Sequence, residues 1–277
     1  MTFNYESSIW GRGTASLFPG DPTSIRLRAA LAALAPLHKG DNVLEVGCGA
    51  GQFIRAIKKL RPDLVCHGSD ISRKALEIAR RSLDGVLYSE QNGSSVPYSD
   101  RSISAVVIFD VLEHVDDPVA FMREVNRVLK PGGTLYAFVP CEGDILSIWH
   151  LLKFLIPAWA GKGWVGNLTK RFAGHIQYYS RNSLVELVEK SGFEIRSLNY
   201  SEHILGQLLG LAAFFSMSHA SGKLGGGQIN NESYFTQNSG SGLTRRFKRF
   251  VNGLIYVESY LLQHVPSPNQ HLVAKKK

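Results

Sequence analysis

Short apolar runs alternate with segments whose apolar positions recur every three or four residues, and this rhythm holds from about residue 40 to residue 200. Val43–Val46, Leu64–Gly68, Ser104–Phe109, Thr134–Pro140 and Phe193–Tyr200 read as strands. Gln52–Leu60, Pro118–Leu129 and Ser183–Ser191 read as helices between them, and His271–Ala274 as a last strand. Strands separated by helices predict a parallel sheet covered on both faces. Residues 1–40 form a turn-rich lead-in, with Trp10-Gly11-Arg12-Gly13, Phe18-Pro19-Gly20 and Asp21-Pro22 ahead of a helix over Thr23–Leu37. Trp10 and Phe18 are its candidate packing anchors.

Two inserts break this rhythm, one inside the 41–200 core and one after it. Residues 141–173 contain Ile145–Ile156, which on a helix is apolar except for a strip of Ser147, His150 and Lys153. Residues 201–266 hold the apolar run Ile204–Met217, a Gly/Ser/Asn-rich linker at Ser221–Gly242 and a helix over Thr244–Leu262. Residues 267–277 supply the last strand and a basic tail. Neither apolar run reaches the roughly twenty residues that span a bilayer. Part of the net charge of +8 sits in Arg245–Arg249 and Lys275–Lys277. Basic residues beside Phe247, Phe250, Leu254, Val257 and Leu261 suit an anionic membrane surface, through 244–262. The competing use of both inserts is a helical cap over a bound molecule. Nucleic acid ranks last, because no RNA-binding module or basic and aromatic stacking stripe is present. The odd set Cys48, Cys66 and Cys141 lacks metal-like spacing and predicts reduced thiols in a cytoplasmic chain. Met1–Trp10 has neither the basic start nor the apolar run of a secretory leader.

The chemistry starts at Val43-Leu44-Glu45-Val46-Gly47-Cys48-Gly49-Ala50-Gly51, a strand running into a glycine turn ahead of a helix. Such a turn lets a ligand approach the main chain and offers it N–H groups. The dinucleotide fingerprint is not met, since the third glycine falls at Gly51 and Gln52 stands where that pattern requires glycine. Glu45 would repel a pyrophosphate and suits a cationic ligand. Adenosylmethionine carries an ammonium and a sulfonium and no phosphate. Asp70, about twenty residues past the turn, is placed to grip a ribose diol. With Asn92-Gly93, Val96-Pro97-Tyr98, Asp110-Val111-Leu112-Glu113-His114-Val115 and Lys130-Pro131-Gly132-Gly133, the ordered set resembles the class I S-adenosylmethionine-dependent methyltransferases, in particular their small-molecule branch. The resemblance is close over residues 40–140 and looser over Gly174–Tyr200. It implies a Rossmann-like α/β fold: a seven-stranded, mostly parallel sheet with helices on both faces and helical inserts after strand five and before the last strand. It implies S-adenosylmethionine as cofactor, leaving as S-adenosylhomocysteine, held by Glu45, Gly47, Cys48, Gly49, Gly51, Asp70, Ile71, Asn92, Gly93 and Asp110. Asn92 stands where the family commonly has Asp, and its side-chain oxygen can still accept from the adenine amino group. The lead-in then serves either as a lid or as a packing strap.

His114 and His175, the latter in Gly174-His175-Ile176-Gln177-Tyr178-Tyr179-Ser180, are the catalytic candidates. An imidazole there can act as general base toward an acceptor hydroxyl. Asp110, Glu113, His114 and His175 could instead hold a divalent metal, or Glu113 and His114 could brace the loop. The base and brace roles are preferred, and no divalent metal is expected. The expected enzyme methylates oxygen of a small-molecule, sugar or lipid-linked acceptor. Methylation of nitrogen, carbon or RNA, and a non-catalytic cofactor-binding module, are the alternatives.

Overall fold

Alternation along the central strands sends neighbouring side chains into two different helical layers. The computed structural model describes residues 9, 11–141, 175–209 and 242–277. In chain order these form α1 (Ser24–Ala33), β1 (Asn42–Val46), α2 (Gln52–Leu60), β2 (Val65–Asp70), α3 (Arg73–Arg80), β3 (Leu87–Glu90) and β4 (Ile103–Phe109). A 3-10 turn (Leu112–His114), α4 (Pro118–Val128), β5 (Leu129–Pro140), α5 (Arg181–Lys190), β6 (Phe193–Ser201), α6 (Gly242–Leu261) and β7 (Asn269–Lys276) complete the chain. Leu44, Val46, Val106, Ile108, Leu135 and Ala137 pack with Met122, Val125, Leu184 and Val188 from α4 and α5. Val43, Ala105, Val107, Tyr136 and Phe138 point the other way, onto Leu27, Ala30, Ile54 and Ile57 from α1 and α2.

The seven strands lie in the order β3-β2-β1-β4-β5-β7-β6. β7 runs antiparallel to both neighbours and the pairs from β3 to β5 are parallel. The expected mostly parallel sheet, with helices on both faces, is therefore present. The chain departs from β1 to one side and later places β4 on the other, which opens a crevice above their carboxyl ends.

Three local differences have physical causes. α1 stops at Ala33 rather than Leu37, because Pro36 disfavours helical backbone at Ala35. The expected turn Lys130–Gly133 is a bulge within β5, since Ile103 pairs with Leu129 while Ala105 pairs with Thr134. The basic tail is largely strand: Lys275 Nζ donates to Thr134 Oγ1, and Lys276 Nζ to the carbonyls of Asn126 and Leu129. Residues 11–15 lie on the start of α2, where Ala15 N–H donates to Gln52 O and the Arg55 guanidinium holds the carbonyls of Gly11, Arg12 and Gly13. Phe18 is exposed and is not an anchor; its ring lies 5.9 Å from the Arg249 guanidinium. Trp10, the segment Ile145–Ile156, the run Ile204–Met217 beyond Leu209 and the linker up to residue 241 lie outside the described residues. Among those described, no helix is long and apolar enough to cross a membrane.

Candidate functional site

The turn after β1 is closed by its neighbour strand. Gly47 and Cys48 donate their N–H groups to Ser69 O at 2.8 and 3.0 Å. Gly47 and Gly51 have φ of +73° and +88°. A Cβ at Gly47 would strike Val111 Cγ2, and one at Gly51 would come within 2.5 Å of the Tyr88 hydroxyl. Both positions therefore require glycine on two counts. The Gly49 N–H donates to Asp70 Oδ2 at 2.7 Å, while Asp70 Oδ1 accepts from Ser72 N–H at 2.8 Å. The carboxylate thus lies against the glycine turn. Exposed beside it are Ile71, Asn92 and Gly93, with Gln91 Nε2 holding the Gly93 carbonyl at 2.9 Å. A tight glycine turn with a carboxylate at its lip, and an exposed apolar side chain with an amide next to it, fit an adenosine compound with an amino-acid end.

Two expected ligand residues are turned elsewhere. Glu45 is only 2% exposed, and its Oε2 accepts from Ile54 N–H, in the first turn of α2, at 2.7 Å. Burial raises its pKa well above the usual range, Asp70 adds to that, and the Ile54 hydrogen bond opposes it. The residue braces the helix that carries the turn. Cys48 is buried with its Sγ packed where a Cβ on Gly68 would be, and burial pushes its thiol pKa well up. Its main-chain N–H helps to close the turn.

At the end of β4, Asp110 adopts a left-handed backbone with φ +51° and donates its N–H to Phe138 O. Its carboxylate meets Arg26 Nη1 at 2.5 Å, and Arg26 also lies 4.1 Å above the Phe138 ring and 3.8 Å from Glu202. Burial alone would lower the Arg26 pKa, but Asp110 and Glu202 outweigh it and the guanidinium is held charged. Three residues on, buried Glu113 has its Oε1 3.9 Å from His114 Nε2 and 4.0 Å from His175 Nε2. The two imidazoles stand edge to face, 5.0 Å apart. Ligand atoms of Glu113, His114 and His175 all lie within 4.8 Å of one another. The four residues named above as the less favoured metal alternative divide here: three gather, and Asp110 faces Arg26 instead. Ile176 and Gln177 donate their N–H groups to Glu113 O, and the Tyr179 hydroxyl donates to Leu112 O. These bonds fasten His175, from a distant segment, to the loop after β4.

Sequence reasoning missed Arg26, Glu202 and His271. His271 is buried on β7, with Nδ1 2.9 Å from the Tyr136 hydroxyl and Nε2 2.8 Å from Ser201 Oγ. Burial, aided by the Arg26 charge, brings its pKa down to about 3. The one available signal was Arg26 itself, a charge one position before Leu27 on the buried side of α1.

Comparisons with known proteins agree with this geometry. A family model described as a methyltransferase domain matches residues 23–198, which is more than half of the chain. The 27-O-demethylrifamycin SV methyltransferase of Amycolatopsis mediterranei is 32% identical over 152 residues, covering 52% of this chain and 52% of that protein. The match therefore spans about half of that relative's length. The demethylmenaquinone methyltransferase of Listeria welshimeri is 26% identical over 64% of this chain and 80% of its own. In fold, the chain is similar to phosphoethanolamine N-methyltransferase 2 of Haemonchus contortus, solved with S-adenosyl-L-methionine, with a TM-score of 0.56. That similarity covers 91% of this chain and 52% of the other at 16% identity, and it bears on fold alone. With the strand order, the glycine cradle and Asp70 pointing the same way as the family model, the chain belongs to the class I S-adenosylmethionine-dependent methyltransferases.

Proposed function

We propose that the protein transfers a methyl group from S-adenosylmethionine to an oxygen of a small or lipid-linked acceptor. The observation that carries this reading is the placement, on one rim, of the glycine cradle with Asp70 and of a buried carboxylate flanked by two imidazoles. The names of two relatives, one giving the 27-O position of a rifamycin and one demethylmenaquinone, support a small-molecule acceptor. When bound, adenosylmethionine supplies a methyl group on a positively charged sulfur. Asp70 would accept from its ribose hydroxyls, the backbone of the Gly47–Gly51 turn would pack against its amino-acid end, and Ile71 and Asn92 would flank its adenine. Asp110 and Arg26 wall the crevice beyond them. His175 presents Nε2 to Glu113, and its Nδ1 is the atom that takes the proton of the acceptor hydroxyl. The carboxylate of Glu113, 4.0 Å away, favours the imidazolium that forms, and the Ile176 and Gln177 amides on Glu113 O hold the segment.

The test is incubation of the protein with methyl-labelled adenosylmethionine and a cell extract. Label should enter an organic-extractable small-molecule fraction, and Asp70→Ala should abolish transfer by weakening cofactor binding. His175→Gln should lower kcat about a hundredfold or more, flatten the rise of rate with pH and leave cofactor affinity unchanged. Label found in RNA or protein overturns the acceptor class; bound cofactor that stays intact with every fraction overturns the enzyme reading. Glu113, His114 and His175 could serve a divalent cation instead, and turnover that survives a chelator assigns them to proton handling.

A further inference from the structure

Surface helices of folded domains normally turn their apolar stripe inward, and α6, besides packing Ile255 and Tyr256 on the body, leaves a second stripe facing outward. Its inward side carries Asn252, which donates to Gly20 O, and Ser259, a buried hydroxyl that accepts from Glu202 N–H at 2.9 Å. The outward side carries Phe247, Phe250, Leu254, Val257 and Leu261, spaced three and four apart and 43–72% exposed. The helical segment 204–209 extends the same apolar surface with exposed Ile204, Leu205, Leu208 and Leu209. It is fixed to α6, because Glu258 Oε1 accepts from the N–H groups of Ile204 and Leu205 at 3.1 Å each. Arg245, Arg246, Lys248 and Arg249 occupy the start of α6, and exposed Phe18 lies beside Arg249. The sole carboxylate of the helix, Glu258, is spent on those two amides. Exposed apolar surface of this extent marks an interaction site.

We propose that this face docks onto an anionic lipid bilayer. The aromatic and aliphatic side chains enter the boundary between headgroups and acyl chains, and the basic start of α6, led by exposed Arg245 and Arg246, meets lipid phosphates and carboxylates. Charge complementarity selects this occupant over a second copy of the chain, since α6 begins with exposed Arg245 and Arg246 and its one acid, Glu258, is turned to the 204–209 segment. Glu202, which leads from β6 into the 204–209 segment, lies 3.8 Å from Arg26 at the crevice rim. The inward side of α6, through Ser259 and Glu202, is thus tied to the crevice rim. Vesicle binding needs no turnover, so the proposal stands or falls apart from methyl transfer.

The experiment is co-sedimentation of the full chain with phosphatidylcholine vesicles containing about 30% phosphatidylserine, at low and high salt, against pure phosphatidylcholine. Wild type should pellet with the anionic vesicles, less at high salt. Binding should fall about tenfold or more when Arg245, Arg246, Lys248 and Arg249 are changed to Ser, and similarly for Phe250→Ser with Val257→Ser and Leu261→Ser. All these side chains are at least partly exposed, and unchanged thermal melts check that the variants fold. Phe250→Trp should show a blue-shifted emission with anionic vesicles. Equal sedimentation of wild type and both variants, or no emission shift, overturns the proposal. So does light scattering that finds a dimer which the Phe250 variant dissolves.

Discussion

Two carboxylates flank the glycine turn and their surroundings separate their roles. Asp70 lies at the lip, accepting main-chain N–H groups from Gly49 and Ser72, whereas Glu45 is sealed behind the turn with one oxygen on Ile54 N–H. What the fold uses at position 45 is an acceptor, and its charge is a cost that burial imposes. Glu45→Gln keeps an oxygen for Ile54 and should fold at least as stably as wild type, with adenosylmethionine affinity within about threefold. Glu45→Ala leaves the Ile54 amide without its acceptor and should cost about 1–3 kcal/mol. Urea denaturation and titration calorimetry on the pair decide this. A large affinity loss in Glu45→Gln alone would return a direct ligand role to the carboxylate. The sequence showed that an acid stood beside the turn. It did not show on which side of the main chain the acid points, because that depends on how α2 seats against β1.

At the scale of elements, one guanidinium supplies the charged link between α1 and the loop after β4, beside the apolar packing of Leu27 and Ala30. Arg26 neutralises Asp110 and Glu202, which directly follow the ends of β4 and β6, and rests on Phe138 of β5. Burial pushes the Glu202 pKa up, Arg26 pulls it back, and Asp110 and Glu258 add to the rise. Arg26→Met keeps the packing on Phe138 but leaves both acids uncompensated. Partly buried pairs lie between exposed and fully buried ones, so the loss should be about 2 kcal/mol. Adding Glu202→Gln should recover part of it. If the double variant is no more stable than the single one in urea, the bridge between the strands carries no energy. Most element identities are legible because periods of 2 and 3.6 are local properties, and Gln52–Leu60 matches at both ends, whereas the short α3 and β3 carry no such expectation. The bulge at Lys130–Gly133 was read as a turn because its composition is that of a turn, and only the pairing of Ile103 with Leu129 makes it strand.

For the whole molecule, the sheet and the cofactor crevice were legible, since both follow from the order of strands and glycines along the chain. The links that join distant strands were not, and His271 is the clearest of them: it ties β7 to Tyr136 on β5 and Ser201 on β6. No local pattern marks it, yet it sets how the fold responds to acid. Its folded pKa of about 3 lies well below the ordinary 6.5. Between those values the unfolded chain binds a proton that the native state refuses, so stability is complete above about pH 6.5 and falls as the pH drops toward 3. The slope is about 1.4 kcal/mol per pH unit, or roughly 2 kcal/mol between pH 6.5 and 5. Glu45 and Glu202, whose folded pKa values are raised, act in the opposite sense at and above the usual carboxylate range, because there the native state holds the extra proton. Total stability therefore mixes the two signs, and the histidine is isolated by difference. His271→Gln, which has no proton to gain, should be less stable than wild type at pH 7.5 through its poorer fit between Tyr136 and Ser201. Going to pH 5, it should lose about 2 kcal/mol less than wild type, as read from urea midpoints at the two pH values. Parallel losses in the two proteins would mean that the native state takes up the proton on His271 at ordinary pH, and that the junction of β5, β6 and β7 is open to water.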